Sequence, residues 1–176
     1  MPDRHSAGNL RAWIARRRVA AGFICGAAAL WLAQPTPRSL AIGSMVAIGG
    51  EAIRLWAAGH LEKGREVTAS GPYAITRHPL YLGSSIIAIG VAIASARVLI
   101  ALLIAAYMAV TIAAAIRTEE AQLTERFGEQ YPAYRAGHAA QVRRRFSAAR
   151  ALRNREYRAM LGLGLALALL AWKTAR

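Results

Sequence analysis

VLIALLIAAYMAVTIAAAI, residues 98–116, is an apolar run of about the length a helix needs to cross a bilayer. A helix rises about 1.5 Å per residue and the hydrocarbon core is about 30 Å thick, so about 20 residues complete a crossing. Working outward, four more apolar runs appear: 19–33, 39–59, 80–96 and 159–172. Residues 39–59 also reach the required length. The runs 19–33, 80–96 and 159–172 need flanking residues to finish, and 159–172 is open to an interfacial or re-entrant reading as well. This pattern predicts an all-α integral membrane protein with about five transmembrane helices and a cytosolic helical segment between the fourth and fifth.

Composition agrees. The chain has 176 residues, 56% of them hydrophobic, yet carries a formal charge of +14. Apolar surface and strong basicity seldom share one compact soluble domain, whereas a membrane protein gives the first to lipid and the second to its loops. The arginines flank apolar runs rather than interleaving with stacking aromatics, which favours a membrane surface over nucleic acid as partner. Cys25 is the single cysteine, so neither a disulfide framework nor a cysteine-based metal site is expected. Residues 1–33 share the layout of a signal peptide. QPTPR at 34–38, however, reads as the tight connector of a helical hairpin, its prolines ending one helix and opening the next.

One membrane domain is therefore expected over 1–176. It divides into a basic N-terminus (1–18), a helical hairpin (19–59), a core (60–134), a basic segment (135–158) and a C-terminal apolar helix (159–176). With five spans, the basic segments before 19, at 60–79 and at 117–158 fall on one side, the cytosolic one. Lys173 and Arg176 lie opposite as a mild exception.

Within 117–158, Thr118 is a candidate helix start. Glu120, Leu123, Phe127, Tyr131 and Tyr134 recur at helical spacing as one stripe, facing the membrane domain or a bound ligand. The arginines beyond it, including Arg143, Arg144, Arg145, Arg150, Arg153 and Arg155, read best as a strip against anionic headgroups.

Three constellations carry possible chemistry. Glu51 and Arg54 sit one turn apart inside the second run, where charges face a protein interior and pair. They form either a mutual ion pair or a substrate-binding arginine steadied by a glutamate. GPYAITRHPLYLG at 71–83 combines a turn with His78 at a helix mouth, Pro79 in its first turn, and Tyr73 and Tyr81 to pack on a planar base or a cation. Arg117-Thr118-Glu119-Glu120 presents carboxylates suited to an ammonium group. Together the last two could hold a zwitterionic amino acid, although each is also readable as a capped helix or a surface helix. The sequence contains no P-loop, no HExxH and no Ser-His-Asp set, and its histidines lack metal-ligand spacing.

GPYAITRHPLYLG, followed by two spans and RTEEAQLTERFGEQYPAY, resembles the isoprenylcysteine carboxyl methyltransferase family and its bacterial relatives; phospholipid methyltransferases share parts of the pattern. The resemblance runs from about Arg54 to Tyr134. It implies an S-adenosyl-L-methionine cofactor bound by His78, Pro79, Leu80 and Tyr81, with Tyr73 in the preceding turn. Arg65, Glu66, Val67 and Thr68 correspond to a segment lining the cofactor. Glu119 resembles the cofactor-contacting glutamate, with Glu120 the alternative register, and FGEQYPAY resembles the helix closing the pocket. The family's eukaryotic prenylcysteine enzymes place a substrate-binding arginine one turn before that glutamate. Ala113, Ala114 and Ala115 stand there in this chain, leaving Arg54 or Arg117, with Glu51, as substrate-side candidates.

The implied reaction is methyl transfer to a lipid or prenylated acceptor within the membrane, at a bacterial inner membrane with the cofactor site on the cytosolic side. Two alternatives come from other classes: an NADPH-dependent reductase of the sterol-reductase type, and a non-enzymatic basic membrane scaffold.

Overall fold

Helix starts are written into the connectors. The computed structural model describes residues 22–138 and 144–176; the basic N-terminus 1–18, the first residues of the 19–33 run and Arg143 lie outside the described residues. Helix α1 is described over Gly22–Leu32. Helix α2, Pro37–Ala58, opens with Pro37 in its first turn. The Thr36 hydroxyl accepts the Ser39 N–H at 3.1 Å while the Ser39 hydroxyl accepts the Thr36 N–H at 2.9 Å, a reciprocal cap. QPTPR is thus the hairpin connector its prolines foretold. Helix α3, Pro79–Ser95, again starts on a proline.

Helix α4, Val98–Phe127, is one unbroken element of 30 residues. Thr118, expected to begin a separate helix, lies inside it with its hydroxyl donating to the Ala114 carbonyl at 2.9 Å. The helical hydrogen-bond ladder runs through because nothing in RTEEAQL breaks it. The break comes at Gly128, whose φ of +52° is left-handed. Helices α5 (Gln130–Arg135), α6 (Ala148–Arg153) and α7 (Tyr157–Thr174) complete the chain. A short 3-10 turn covers Gly71–Ala74. No strand occurs among the described residues.

Among the described residues, α2 and α4 are the two helices both long and apolar enough to cross a membrane. The shorter α1 and α3 are apolar as well. Of the five expected spans, two therefore qualify by length and composition together. The surface agrees with a lipid environment. Only 6% of the apolar window of α4 is buried within the protein, and Leu102 and Val110 stand exposed. Such a face has a stable home in hydrocarbon rather than water.

Helices α2 and α3 make the closest contact. Gly43, Ala47 and Gly50 on α2 meet Gly83, Gly90 and Ala94 on α3. A Cβ added to Gly50 would lie 2.7 Å from the Gly83 carbonyl oxygen, and one on Gly90 2.5 Å from the Ala47 nitrogen. Backbones this near each other are the usual way helices associate in lipid, where burial of apolar side chains drives little.

The helices alternate in direction. At one end the Gln34 N–H donates to Ser95 O at 2.9 Å, and the Arg97 guanidinium to the Gln34 side chain at 3.0 Å. Lys173 Nζ donates to the carbonyls of Leu30, Trp31 and Ala33 at 3.0, 2.6 and 2.7 Å. The lysine thus caps the last carbonyls of α1, which explains a positive charge at this end. The opposite end gathers the 59–78 connector, the polar last third of α4, α5, α6 and the start of α7.

The α2–α3 contact predicts a contrast between neighbouring glycines. Gly50→Ala must push the helices apart, costing about 1–3 kcal/mol and lowering the melting temperature in detergent. Gly49→Ala, with nothing within 4 Å of the new carbon, leaves it unchanged or slightly raised.

Candidate functional site

Three short segments converge at the polar end. In the connector, Thr68 is buried and its hydroxyl accepts the Glu62 N–H at 3.1 Å, folding 62–68 into a closed loop. Gly71 then takes a φ of +58°, and a Cβ there would strike the His60 ring at 2.5 Å, so both the conformation and the space call for glycine. The resulting 3-10 turn buries Tyr73. After Gly128, α5 folds back so that the Tyr134 hydroxyl donates to Tyr73 O at 2.7 Å. The expected stripe from Glu120 to Tyr134 is therefore two helices, with the break at Gly128 turning its tyrosines back onto the turn.

His78 is the cap residue of α3, and its side chain reaches α4 instead of capping. Nε2 lies 3.2 Å from Glu120 Oε1, with Arg77 3.7 Å from the same oxygen. The Tyr81 ring sits 5.8 Å from the imidazole, centre to centre. This contact separates the two adjacent glutamates: Glu120 ties α4 to the start of α3, while Glu119 borders a cavity.

That cavity measures about 440 Å³, within the range of about 300–1,000 Å³ usual for small-molecule sites. Its walls are Glu62 to Thr68 of the connector (Arg65 excepted), Tyr73, the 77–81 segment at the start of α3, one face of α4 around Glu119, Tyr131 and Tyr134 of α5, and Arg54. The structure thus brings together Arg54, Glu66, Val67, Thr68, Tyr73, His78, Pro79, Leu80, Tyr81 and Glu119. Arg65 and Arg117 are exposed and do not border it. Glu120 stands behind His78, and Glu51 lies deeper between the helices.

Arg54 meets the expected glutamate and a closer one. Glu51 is 3.8 Å from its Nε, but the close partner is Glu156 at 2.7 Å. The guanidinium also donates to the Ser84 hydroxyl and, at 3.4 Å, to Leu80 O. Glu51 is buried with neither carboxylate oxygen hydrogen-bonded. Glu156 went unread in the sequence. One signal was present: it is the sole acidic residue in 135–158.

Two arginines of the expected strip turn to the connector. Arg144 grips Glu66 through both carboxylate oxygens, Arg150 bonds Glu62 at 2.7 Å, and Arg153 lies 3.6 Å from Glu62. Arg144 and Arg150 are thus satisfied within the protein, because the connector presents glutamates within reach, while Arg145, Arg153 and Arg155 stay exposed.

Electrostatics sorts the cavity groups by role. The Arg150 hydrogen bond holds Glu62 below the usual carboxylate range. Burial alone would raise Glu120, but its contacts with His78 and the Arg77 charge bring it below its ordinary value. Burial pushes the Tyr73 hydroxyl upward, and burial with the nearby Glu120 charge takes Tyr131 to about 12. Both phenols stay protonated near neutral pH and act as donors, not bases. The buried Tyr73 hydroxyl has no hydrogen-bond partner. Glu62 and Glu66 are bound by arginines, whereas Glu119 has no ion pair among the described residues.

Among the described residues, a helical fold with lipid-type apolar faces and a polar cavity at one helix end fits a membrane protein. The sequence profile of the phospholipid methyltransferase family matches residues 18–130, well over half of the chain, which therefore belongs to that family, a relative of the isoprenylcysteine carboxyl methyltransferases. No curated protein and no solved structure matches the chain.

The different placement of the two glutamates is measurable. Glu120→Ala should lower stability in detergent by about 1 kcal/mol through loss of the His78 contact, while Glu119→Ala should leave the melting temperature unchanged. Tyr73→Phe removes an unpartnered buried hydroxyl and should keep or slightly raise it.

Proposed function

We propose that the chain transfers a methyl group from S-adenosyl-L-methionine to a lipophilic acceptor held in the membrane. One observation carries this reading: residues from the start of α3 and Glu119 of α4, far apart in sequence, border a single cavity. The cavity's groups suit such a cofactor. Glu119, without an ion pair among the described residues, offers negative charge to an ammonium. The N-terminal end of α3 offers positive potential to a carboxylate. Tyr73 provides a buried hydroxyl in need of a partner, and Tyr81 and Tyr134 provide aromatic surface. Glu66, Val67 and Thr68 form the wall facing them.

When bound, the cofactor supplies an electrophilic methyl on a sulfonium. The protein's part is alignment and exclusion of water. Pro79, buried at the head of α3, fixes one wall, and the Tyr134 bond to Tyr73 closes the α5 side. A carboxylate or thiolate acceptor needs no base. An amine must be neutral, and Glu51, or Glu119 where the cofactor leaves an oxygen free, would take its proton. Arg54, with no arginine at 113–115, is the cavity cation suited to an anionic acceptor group. Arg117, being exposed, is less suited.

Membership in a methyltransferase family favours this reading over an NADPH reductase or a scaffold. We assign the site to the cytosolic face of a bacterial inner membrane with five spans, because the basic segments cluster at the cavity end and the helices alternate in direction.

Titration calorimetry on the purified protein in detergent tests the cofactor: binding is expected, with His78→Ala and Glu119→Ala each weakening it at least tenfold, about 1.4 kcal/mol. Absence of binding by the wild-type protein would end the proposal. Lipidomics with isotope-labelled methyl donor, comparing membranes with and without the protein, then identifies the acceptor.

A further inference from the structure

Residues 144–157 lie beyond the stretch shared with the family, yet their bonds land repeatedly on the cavity. The Arg144 guanidinium donates to both oxygens of Glu66. Arg150 donates to Glu62 at 2.7 Å and to Gly59 O. Asn154 Nδ2 donates to Ala58 O at 2.8 Å and Leu61 O at 2.9 Å. Glu156 accepts from Arg54 at 2.7 Å. Glu66, Glu62, Leu61 and Arg54 all border the cavity. Arg155, between α6 and α7, has a left-handed φ of +60°, a conformation most side chains avoid, and it turns the chain so that Glu156, at the start of α7, turns its carboxylate to Arg54 rather than to the helix end.

Resting on the methyltransferase reading for its functional consequence, we propose that residues 144–157 are a strap that sets the cavity's connector wall and, through Glu156, the position of Arg54. The connector at 59–68 has no regular secondary structure of its own, so its shape depends on what it is bonded to. Its first residues, Gly59 to Leu61, are bonded back to the end of α2, and Glu62 is joined to Thr68 and Arg65 within the loop; the contacts that tie Glu62 and Glu66 to another segment are those of the strap. Glu156 is buried, and a guanidinium held by a carboxylate, a serine hydroxyl and a backbone carbonyl has little freedom. Glu156 is accordingly a positioning residue, acting through Arg54.

Hydrogen–deuterium exchange on the full-length protein in detergent, without ligand, tests the strap directly. Arg144→Glu should speed exchange of the 59–68 amides severalfold while circular dichroism stays helical, and adding Glu66→Arg should restore protection. Unchanged exchange in Arg144→Glu, or no recovery in the swapped pair, overturns the strap. Transfer of labelled methyl to membrane lipid tests Glu156: Glu156→Gln should lower it at least threefold, with S-adenosyl-L-methionine affinity unchanged, and Glu156→Asp should recover part of it. Equal transfer in Glu156→Gln, or a matching loss of cofactor affinity, overturns the positioning role. A wild-type protein that binds no S-adenosyl-L-methionine overturns the methyltransferase reading instead, and the exchange result still decides the strap.

Discussion

The backbone-to-backbone contact of α2 with α3 is the constraint on which the remaining structure depends. In hydrocarbon, two helices gain little by hiding apolar side chains from each other, so their association rests on packing and on the absence of intervening atoms. Gly43 and Gly50 against Gly90 and Gly83 supply that absence. The same contact lets a long polar side chain through: a Cβ on Gly83 would lie 2.5 Å from Arg54 Cγ. Because Gly83 is bare, Arg54 crosses the face of α3 to reach Ser84 and Leu80 O, and comes to border the cavity. Packing in the membrane and geometry at the site are thus one arrangement.

Charge follows a second rule, that a polar end next to lipid keeps its ions paired. Glu62, Glu66, Glu120 and Glu156 each meet a basic side chain. Ion pairs of this kind add little stability where they are exposed, but these join segments remote in sequence and so define where the connector lies. Against that background Glu119 is distinctive. It borders the cavity with no ion pair among the described residues, beside a buried tyrosine hydroxyl that also lacks a partner. Unused groups gathered in one concavity point to a ligand more strongly than either would alone.

Much of the fold could be read from the chain because its signals are local. Pro37 and Pro79 begin helices since a ring that lacks an N–H is harmless there. Gly71 marks the turn because a residue without a Cβ takes its positive φ without strain. The two motifs, GPYAITRHPLYLG and RTEEAQLTERFGEQYPAY, were legible as candidates, and Tyr73, Arg77 to Tyr81 and Glu119 border one cavity. The unbroken passage of α4 through Thr118 was not legible, because a threonine with an acidic residue after it looks alike whether it starts a helix or continues one.

By itself, then, the sequence determined what depends on composition and neighbouring residues: helices suited to lipid, their starts and breaks, and a polar cluster at one end of them. Only the tertiary structure decided which charges meet. Glu119 and Glu120 are adjacent and chemically alike, and it is helix rotation against α3 that turns one to His78 and leaves the other at the cavity. Arg54 had a plausible partner one turn away in Glu51, yet its close partner lies 102 positions along the chain. Long-range pairing reflects where helices come to rest against one another, and no local pattern in the chain encodes that distance.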